Sequence, residues 1–327
     1  NGFNLFYKFW NDAVNGNNSF VPFKVHWSNV PGRDQEWRKK IVSTIGEEAF
    51  RQEYEADFLG SSNTLVSTEK LQELSYKTPL FTKDSLDVYE EPVQGGSYVM
   101  TVDVARGQGL DFSAFSVFDT TEIPYKVVAK YKNNQVAPLH FPNIINIVGK
   151  RYNDAYILVE INDIGSQVAD VLHHDLEYEY LFSTSWYGRH GQQLSGGVKK
   201  DSSFGVRTTR AMKKLGCSNL KSLLEEDKLL IPDYDMISEL TTFVSSGDSF
   251  SADDGSHDDL AITLVLFAWL VDQQYFKDLN NQNIRDNLYQ NQLQNIEDFT
   301  TPFGYINNGL NQKEYEVDSE GTVWETI

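Results

Sequence analysis

The segment Tyr98–Asp103 constrains the fold of this chain most, because its β-branched and aromatic residues end in a carboxylate. Such a run, entered through Gly95-Gly96, is typical of a core β-strand. A Gly-rich turn and a second acid, Asp111, separate it from another apolar run. Burying an unpaired carboxylate is costly, so the sequence predicts a cationic partner beside Asp103. The alternative interpretation is an exposed acid at the strand end, or one that accepts hydrogen bonds from the turn.

The pattern from residue 97 onwards predicts the order strand, strand, strand, helix, strand, helix. The third strand is expected at Tyr125–Tyr131, and the first helix at Pro142–Tyr152, where apolar residues recur along one side. Tyr156–Glu160 is almost continuously apolar up to its final acid, which is typical of a strand covered on both faces. A second helix is expected at Gln167–Leu176. The predicted fold class is therefore α/β, with a mixed central sheet flanked by helices.

Weaker patterns outline the rest of the chain. Residues 1–60 carry aromatic and helical patterns, and residues 75–96 have the composition of a loop. Residues 187–204, rich in Gly, Gln and Ser, are expected to form a mobile loop or a hairpin. The other predicted elements are a capped helix at Ser67–Leu74, a strand at Leu181–Trp186, helices at Arg207–Leu215 and Ser218–Lys228 broken at Gly216-Cys217, a strand at Leu229–Ile231, a helix at Asp235–Val244 and a buried helix at Leu260–Val271.

Composition limits the classes of function. The net charge is −19, from 28 basic and 47 acidic residues, which weighs against a surface that binds nucleic acid by bulk charge. A nucleic-acid enzyme with this balance needs a localised basic groove and metal ions. The single cysteine excludes an internal disulfide and suits a reducing cytosol. The longest apolar run has 12 residues, too few to cross a bilayer, so no membrane partner is expected.

Three acids stand at comparable places in the pattern. Asp103 ends the first strand, Glu160 ends the apolar strand, and Asp259 opens the buried helix. Like charges close together repel, and divalent cations stabilise such a cluster. All-oxygen ligation selects hard ions such as Mg²⁺ or Mn²⁺, and two such ions about 4 Å apart can hydrolyse a phosphodiester. The order of elements and the placement of the acids predict an RNase H-like metal nuclease. Three unrelated surface acids in a very acidic protein are the alternative.

Other candidate residues surround this set. His257 neighbours the acids and is a candidate for orienting a metal ligand, with a capping or surface role as the alternative. Basic residues cluster between 199 and 221, and on a helix from about residue 205 the side chains of Arg207, Arg210 and Lys214 would share one face. An ordinary solvated helix face is the alternative to a phosphate-binding ridge. The predicted DNA contacts are Arg106, Lys199, Lys200, Arg207, Arg210 and Lys214.

Several motifs, in order, resemble those of the large terminase subunit of tailed phages, in its long-tailed myophage form. The resemblance runs from near residue 1 to about residue 275. Its carriers are Phe50-Arg51-Gln52-Glu53, Gly60-Ser61-Ser62-Asn63-Thr64-Leu65, Thr101-Val102-Asp103 with Gly107-Gln108-Gly109-Leu110-Asp111, Tyr156-Ile157-Leu158-Val159-Glu160-Ile161-Asn162, Gly216-Cys217-Ser218-Asn219-Leu220-Lys221 with Asp227-Lys228-Leu229-Leu230-Ile231, and His257-Asp258-Asp259-Leu260.

The resemblance implies an RNase H-fold endonuclease that cuts concatemeric double-stranded viral DNA during genome packaging into the prohead. Its catalytic metal ligands map onto Asp103, Glu160 and Asp259, with Asp258 as a further ligand and Asp111 as an auxiliary acid. The implied cofactors are two Mg²⁺ or Mn²⁺ ions. The implied partners are double-stranded DNA, the portal protein and the small terminase subunit, and the implied location is the host cell cytoplasm.

In that family an ATPase domain precedes the nuclease. Three regions are therefore expected: 1–61 as a helical flank from the end of the ATPase region, 62–276 as the nuclease domain, and 277–327 as a polar tail. No Gly-x-x-x-x-Gly-Lys-Ser/Thr run occurs in the chain, so ATP hydrolysis by it is not expected. Loop 187–204 is long for the family. Two other interpretations stay open, an RNase H-like resolvase or transposase and a non-catalytic module that docks to portal or capsid.

Overall fold

The computed structural model describes residues 5–14, 16, 18–55, 63–107, 109, 111–186, 191–195, 202–247, 249–253, 255–281, 315–317 and 323–325. The chain divides into two compact units, Asn1–Asn281 and Gln282–Ile327. The sheet, the helices and all the predicted acids lie in the first unit. The first domain boundary expected from the sequence, between residues 61 and 62, lies outside the described residues, and the three-region division stays a prediction.

Among the described residues, four α-helices and a short 3-10 helix, Trp27–Asn29, precede the sheet, and an aromatic cluster stabilises the first part of the chain. Trp27 and Phe50 are buried, and their rings pack against Trp37. The helix that carries Trp37 starts where the Asp34 carboxylate accepts the Trp37 backbone N–H at 2.8 Å, which satisfies an otherwise free donor. The helices are α1 (Leu5–Val14), α2 (Gln35–Ile45), α3 (Glu47–Tyr54) and α4 (Thr68–Glu73), the last capped by Ser67 as expected.

A mixed sheet forms the centre of the first unit, as the sequence predicted. Its path order is β1-β2-β5-β4-β3-β6, where β3 and β6 are parallel and the other neighbours on this path are antiparallel. The strands are β1 (Phe81–Lys83), β2 (Leu86–Val88), β3 (Tyr98–Asp103), β4 (Ser113–Asp119), β5 (Tyr125–Asn133) and β6 (Tyr156–Val159). The prediction that residues 75–96 form a loop is wrong, because β1 and β2 lie within this range. Each of these strands has three residues, too few to show an alternating pattern in the sequence.

Helices cover both faces of the sheet, and two hydrophobic clusters result. On one face α5 (Phe141–Arg151) and α6 (Gly165–Asp170) pack against alternate residues of β3 and β4, including Met100 and Phe115. On the other face a cluster around Val99 and Phe118 is completed by three helices. These are α7 (Arg210–Glu225), α8 (Tyr234–Thr242) and α9 (Asp259–Asp272). α9 is buried from Asp259 to Leu270, which confirms the buried helix expected from its apolar composition.

The connections differ from the expected pattern at two places. The segment predicted as the helix Gln167–Leu176 is divided between α6 and a π-helical turn, Val171–Asp175. The segment predicted as helical up to Val244 leaves the helix at Thr242 and enters a hairpin, which buries Phe243. The remaining strands are β7 (Ser183–Trp186), β8 (Gln192–Ser195), β9 (Ser202–Phe204), β10 (Leu229–Leu230), β11 (Phe243–Ser246), β12 (Ser249–Ala252), β13 (Tyr315–Val317) and β14 (Val323–Glu325).

For the described residues 191–195 and 202–204, the structure agrees with the hairpin alternative, since β8 and β9 both pair with β7. The rest of the predicted loop 187–204 lies outside the described residues. β10 extends the sheet by pairing in parallel with the start of β5. In the second unit, the described residues form the antiparallel pair β13–β14, and the rest of the polar tail from residue 282 lies outside the described residues.

The predicted helix break at Gly216-Cys217 is wrong, because α7 runs through both residues. A β-carbon at Gly216 would lie 2.7 Å from both Cγ1 and the carbonyl oxygen of Val265. The glycine therefore serves close packing of α7 on α9, at the cost of some helix propensity. The expectation failed because intrinsic propensity was considered without the partner helix.

We expect Gly216→Ala to destabilise the protein by about 1–3 kcal/mol, because the added methyl must separate two packed helices. Ser218→Ala, an exposed position on the same helix, is the control and should change stability by about 0.5 kcal/mol or less. Urea unfolding of both variants measures the difference. Equal stability of the two variants would contradict a close α7–α9 contact at Gly216.

Candidate active site

Asp103 and Glu160 lie side by side at the end of two parallel strands. The β3–β6 register pairs Val102 with Val159, and the Glu160 backbone N–H donates to the Val102 carbonyl at 2.9 Å. The next residue on each strand is the acid, so the two carboxylates occupy equivalent positions at one edge of the sheet. Residues at equivalent register positions of neighbouring strands point to the same face.

This proximity changes the ionisation of Asp103. Burial raises the pKa of the Asp103 carboxyl well above its usual range, and the neighbouring Glu160 raises it further through charge repulsion and a hydrogen bond between the two carboxyl groups. The charges of Asp259 and Asp258 act in the same direction. The predicted triad therefore shares one electrostatic environment, and it favours a bound proton or a bound cation.

Helix α9 brings Asp259 to the same place. The Thr101 hydroxyl donates to the Thr263 carbonyl at 2.8 Å, which fixes α9 across β3. Thr101 lies two residues before Asp103, on the same face of the strand, and Thr263 lies about one turn after Asp259. The first turn of α9 therefore lies near the end of β3. There Asp259 Oδ1 accepts the Phe112 backbone N–H at 3.2 Å.

The second carboxylate oxygen of Asp259 is the most informative atom of the site. Asp259 Oδ2 is buried, and no hydrogen-bond donor among the described residues reaches it. Lys132 Nζ lies 3.6 Å away and His257 Nδ1 lies 3.9 Å away. Burial raises the pKa of the Asp259 carboxyl, and Lys132 opposes that rise. A buried carboxylate oxygen without a donor is a position that a cation can fill.

The donor set fits a hard divalent cation, since every candidate ligand atom is a carboxylate oxygen. Among the described residues, no group of three His, Cys, Asp or Glu side chains is arranged to hold a metal ion. Mg²⁺ commonly keeps several waters and takes one or two carboxylates together with substrate phosphate oxygens. The paired carboxyls of Asp103 and Glu160, with the open Oδ2 of Asp259, are suited to that kind of coordination.

The other predicted acids occupy different positions. Asp258 Oδ2 accepts the Ala252 backbone N–H at 3.3 Å and lies 3.7 Å from Lys213 Nζ, beside the triad. Asp111 is exposed in the β3–β4 connection. His257 has contacts compatible with either predicted role. Its Nδ1 lies near Asp259, as a residue that orients a metal ligand would, and its ring packs edge-on against Phe112, with centroids 5.0 Å apart. The roles of Asp258, Asp111 and His257 stay predictions.

The predicted DNA contacts are only partly described. Arg106 is exposed and forms a two-pronged ion pair with Asp163, at 2.6 and 2.8 Å, which joins the loops after Asp103 and Glu160. The Arg106 guanidinium lowers the pKa of the Asp163 carboxyl. Lys199 and Lys200 lie outside the described residues.

The basic residues near α7 are exposed, but the helical face expected for three of them is only partly correct. Arg210 and Lys214 lie on α7 at four-residue spacing, so they share one face. Arg207 lies in the non-helical segment before α7, where its backbone N–H donates to the Gln192 side chain. The expectation that Arg207 shares the helical face is therefore wrong, because Thr209 caps the helix three residues later than predicted.

Asn162 is a functional candidate that sequence reasoning missed. Its side-chain amide donates to Glu160 Oε1 at 3.1 Å and to the Thr208 carbonyl at 3.2 Å. It therefore orients Glu160 and ties it to the segment before α7. Gly165 has a related role, since a β-carbon there would lie 1.8 Å from the Glu160 carbonyl oxygen. The only signal in the sequence was the closeness of both residues to Glu160.

Lys132 and Glu239 form a partly buried ion pair beside the triad, and they were missed as well. The Lys132 ammonium donates to Glu239 Oε1, and Glu239 Oε2 accepts the Ala261 backbone N–H at 2.9 Å. Burial raises the pKa of the Glu239 carboxyl to about 7, although Lys132 lowers it. The available signal was the spacing of Lys130 and Lys132, since two residues at this spacing in a strand face the same side of it.

A groove of about 540 Å³ opens next to this ion pair. Its lining combines charged and polar groups from the first strands, β5, α8 and the segment before α9. The lining residues are Thr82, Ser85, Asp87, Phe112, Lys130, Lys132, Asp235, Ser238, Glu239, Thr242, Ser256 and His257. The groove gives the region beside Asp259 access to solvent.

Residues 100–268, more than half of the chain, match the family described as Terminase RNaseH-like domain. This chain belongs to that family. The resemblance to the terminase large subunit is confirmed, and the chain contains a terminase nuclease domain with the RNase H-like fold. The matched range contains Asp103, Glu160 and Asp259, which is the range over which the structure assembles the acids.

Several solved terminase structures are similar to part of this chain. The large terminase nuclease from thermophilic phage G20c with bound magnesium is 18% identical, with a TM-score of 0.49, covering 64% of this chain and 97% of that chain. The Thermus phage P74-26 large terminase nuclease domain is 18% identical, with a TM-score of 0.47, covering 64% and 95%. The human cytomegalovirus terminase nuclease domain, soaked with Mn, is 12% identical, with a TM-score of 0.35, covering 65% and 97%.

None of the described helices of this terminase is long and apolar enough to cross a lipid bilayer.

The raised pKa of Asp103 predicts how stability depends on pH. Its folded-state pKa lies above the unfolded value of about 4, so its contribution is fully present below that value and is lost as pH rises through the folded pKa. The metal-free melting temperature should therefore fall as pH rises from about 4 towards and through the raised pKa. Asp103→Asn should reduce this slope and leave the metal-free protein at least as stable near neutral pH.

Asp119→Asn is the matched control, because Asp119 pairs with Tyr98 at the opposite end of the sheet. It should keep the wild-type slope. Melting temperatures measured in chelator across the pH series test the prediction. A wild-type slope in Asp103→Asn, or loss of its folded state, would make Asp103 a structural hydrogen-bonding residue.

Proposed function

We propose that this terminase chain is a metal-dependent endonuclease that cuts concatemeric double-stranded viral DNA during genome packaging into the prohead. The observation that carries the proposal is the convergence of Asp103 and Glu160 at one strand edge with the open Oδ2 of Asp259. A buried acid cluster that raises its own pKa is unfavourable for folding, and function accounts for its presence. Metal binding would turn that repulsion into ligation.

Two Mg²⁺ or Mn²⁺ ions are the proposed cofactors, held by Asp103, Glu160 and Asp259, with Asp258 beside them. When bound, such a pair of ions activates a water and stabilises the leaving oxygen of a phosphodiester. The protein contributes the orientation of the ligands. Asn162 holds one oxygen of Glu160, and the Phe112 backbone N–H holds Oδ1 of Asp259, which leaves Oδ2 free for a cation.

DNA is proposed to approach over the start of α7. Lys213 lies 3.7 Å from Asp258, so this part of α7 borders the acids, and Arg210 and Lys214 are exposed on the helix beside it. A localised basic surface is the arrangement that a chain of charge −19 needs in order to bind phosphates. Arg106 is a further proposed contact, which requires it to exchange Asp163 for a phosphate.

The wider assignments belong to the same proposal. The portal protein and the small terminase subunit are the proposed partners, and the host cell cytoplasm is the proposed location. ATP hydrolysis is not part of the proposal, since the sequence carries no phosphate loop.

We expect the wild-type protein to cut plasmid DNA with Mg²⁺ or Mn²⁺ and to lose this activity in EDTA. Asp103→Asn should reduce cleavage by roughly a hundredfold or more, because it removes a metal ligand while it conserves shape. Gel analysis of plasmid digestion measures both effects, with Asp119→Asn as the control that keeps activity. Cleavage at the wild-type rate by folded Asp103→Asn would place the metal site elsewhere.

Charge reversal at Arg210 and Lys214 should weaken DNA binding and flatten its salt dependence. The slope of log K against log salt should fall by about 0.9 for each lost phosphate contact. The double variant Lys126→Glu with Lys228→Glu is the matched control, because it reverses the same number of positive charges. These two lysines lie near the start of β5, whereas the candidate site lies near its end. Fluorescence anisotropy with linear and branched duplexes measures the slopes. An unchanged slope would leave α7 a solvated face, and tighter binding to branched DNA would favour a resolvase.

A further inference from the structure

A lysine faces the candidate metal ligand Asp259 from inside the protein. Lys132 is the second-last residue of β5, and only 17% of its side chain is exposed. Its Nζ lies 3.6 Å from Asp259 Oδ2, the buried oxygen that has no hydrogen-bond donor. The same nitrogen lies 4.4 Å from the centroid of the Phe112 ring, whose face attracts cations.

Contacts with Glu239 and with the Phe112 ring hold the Lys132 ammonium in place. Glu239 Oε1 accepts from Lys132, and Glu239 Oε2 accepts the Ala261 backbone N–H in the first turn of α9. Phe112, under the same ammonium, donates its backbone N–H to Asp259 Oδ1. Lys132 is thereby tied to α8, α9 and the start of β4, and its distance from Asp259 is set by residues that do not ligate metal.

The distance of 3.6 Å has two consequences. It is close enough for strong charge attraction where both side chains are largely buried, and it is longer than a hydrogen bond. The positive charge therefore offsets the repulsion between Asp259 and the other acids, while Oδ2 remains available. It also opposes the arrival of any second cation at the same oxygen. Lys132 acts more strongly on Asp259 than any other charged neighbour does.

We propose that Lys132 is an internal counter-cation of Asp259, which stabilises the metal-free acid cluster and lowers its affinity for divalent metal. The inference rests on the proposed metal-dependent function. Lys132 is a positioning residue, because it acts through Asp259 and Glu239. The Lys132 ammonium and a divalent metal ion then compete for the negative charge of Asp259. The negative charge of an incoming phosphate would favour metal binding in this competition.

The chain offers a matched control two residues away. Lys130 lies on the same strand and faces the same side, and its side chain is buried more completely than that of Lys132, with 4% exposed. Its ammonium pairs with Asp87 at 3.3 Å, with Asp233 at 2.9 Å and with Asp235. Removal of Lys130 therefore tests the loss of a buried lysine that serves other acids.

Isothermal titration with Mn²⁺ and metal-free melting temperatures test the inference. Lys132→Met should bind Mn²⁺ roughly tenfold more tightly than the wild type, equivalent to about 1.4 kcal/mol, while its metal-free melting temperature falls. A purely structural lysine would lower stability without raising metal affinity. Lys132→Arg should keep both values near those of the wild type, and Lys130→Met should lower the melting temperature with unchanged Mn²⁺ affinity.

A second variant keeps the test decisive if Lys132→Met does not fold. Lys132→Met with Glu239→Gln removes both charges of the buried pair and should still bind Mn²⁺ more tightly than the wild type. If the wild type binds Mn²⁺ and the folded variants bind it equally or more weakly, the proposed role of Lys132 is overturned, while the proposed metal-dependent function stands. Absence of Mn²⁺ binding by the wild type contradicts the proposed function, and the inference falls with it.

Discussion

Repulsion among carboxylates at one edge of the sheet is the constraint around which the rest of the structure is arranged. The parallel pairing of β3 with β6 places Asp103 beside Glu160, and burial makes their shared charge more costly. A fold reaches such an arrangement only if other contacts hold the strands together. Here the strands are apolar on both faces, and helices cover each side, so hydrophobic burial offsets the local repulsion.

Helix α9 converts this edge into a site. Its apolar residues are buried among β3, β4 and α7, and the Thr101–Thr263 hydrogen bond fixes its position along the strand. The close approach of α7 at Gly216 anchors the helix from the other side. Asp259 is therefore carried by a rigid element, and a buried oxygen can be left without a donor. In a loop the same side chain would rotate until it found water or a hydrogen-bond donor.

Positive charge near the acids is distributed by depth. Lys132 and Lys213 are largely buried beside Asp259 and Asp258, with 17% and 19% of their side chains exposed, whereas Arg106 pairs with Asp163 at the surface. The largely buried Lys132 ammonium offsets the negative charge of Asp259, whereas the Arg106 guanidinium is exposed to solvent. A strongly acidic chain can thus carry a local basic surface of small area, because the interaction of surface charges is screened beyond about 10 Å.

The sequence by itself determined the core strands β3 to β6, the buried helix and the positions of three acids at the ends of these elements, because strand alternation, apolar runs and terminal carboxylates are local features of neighbouring residues. Tertiary structure decided what those features contact. The break predicted at Gly216 was wrong because the glycine serves a partner helix, and β1 and β2 were too short to detect. The sequence did not reveal the contacts of Lys132, Glu239 and Asn162. Each of these side chains forms a hydrogen bond with a residue that is distant in the chain. Such contacts depend on which elements pack together, and local residue patterns do not encode that choice.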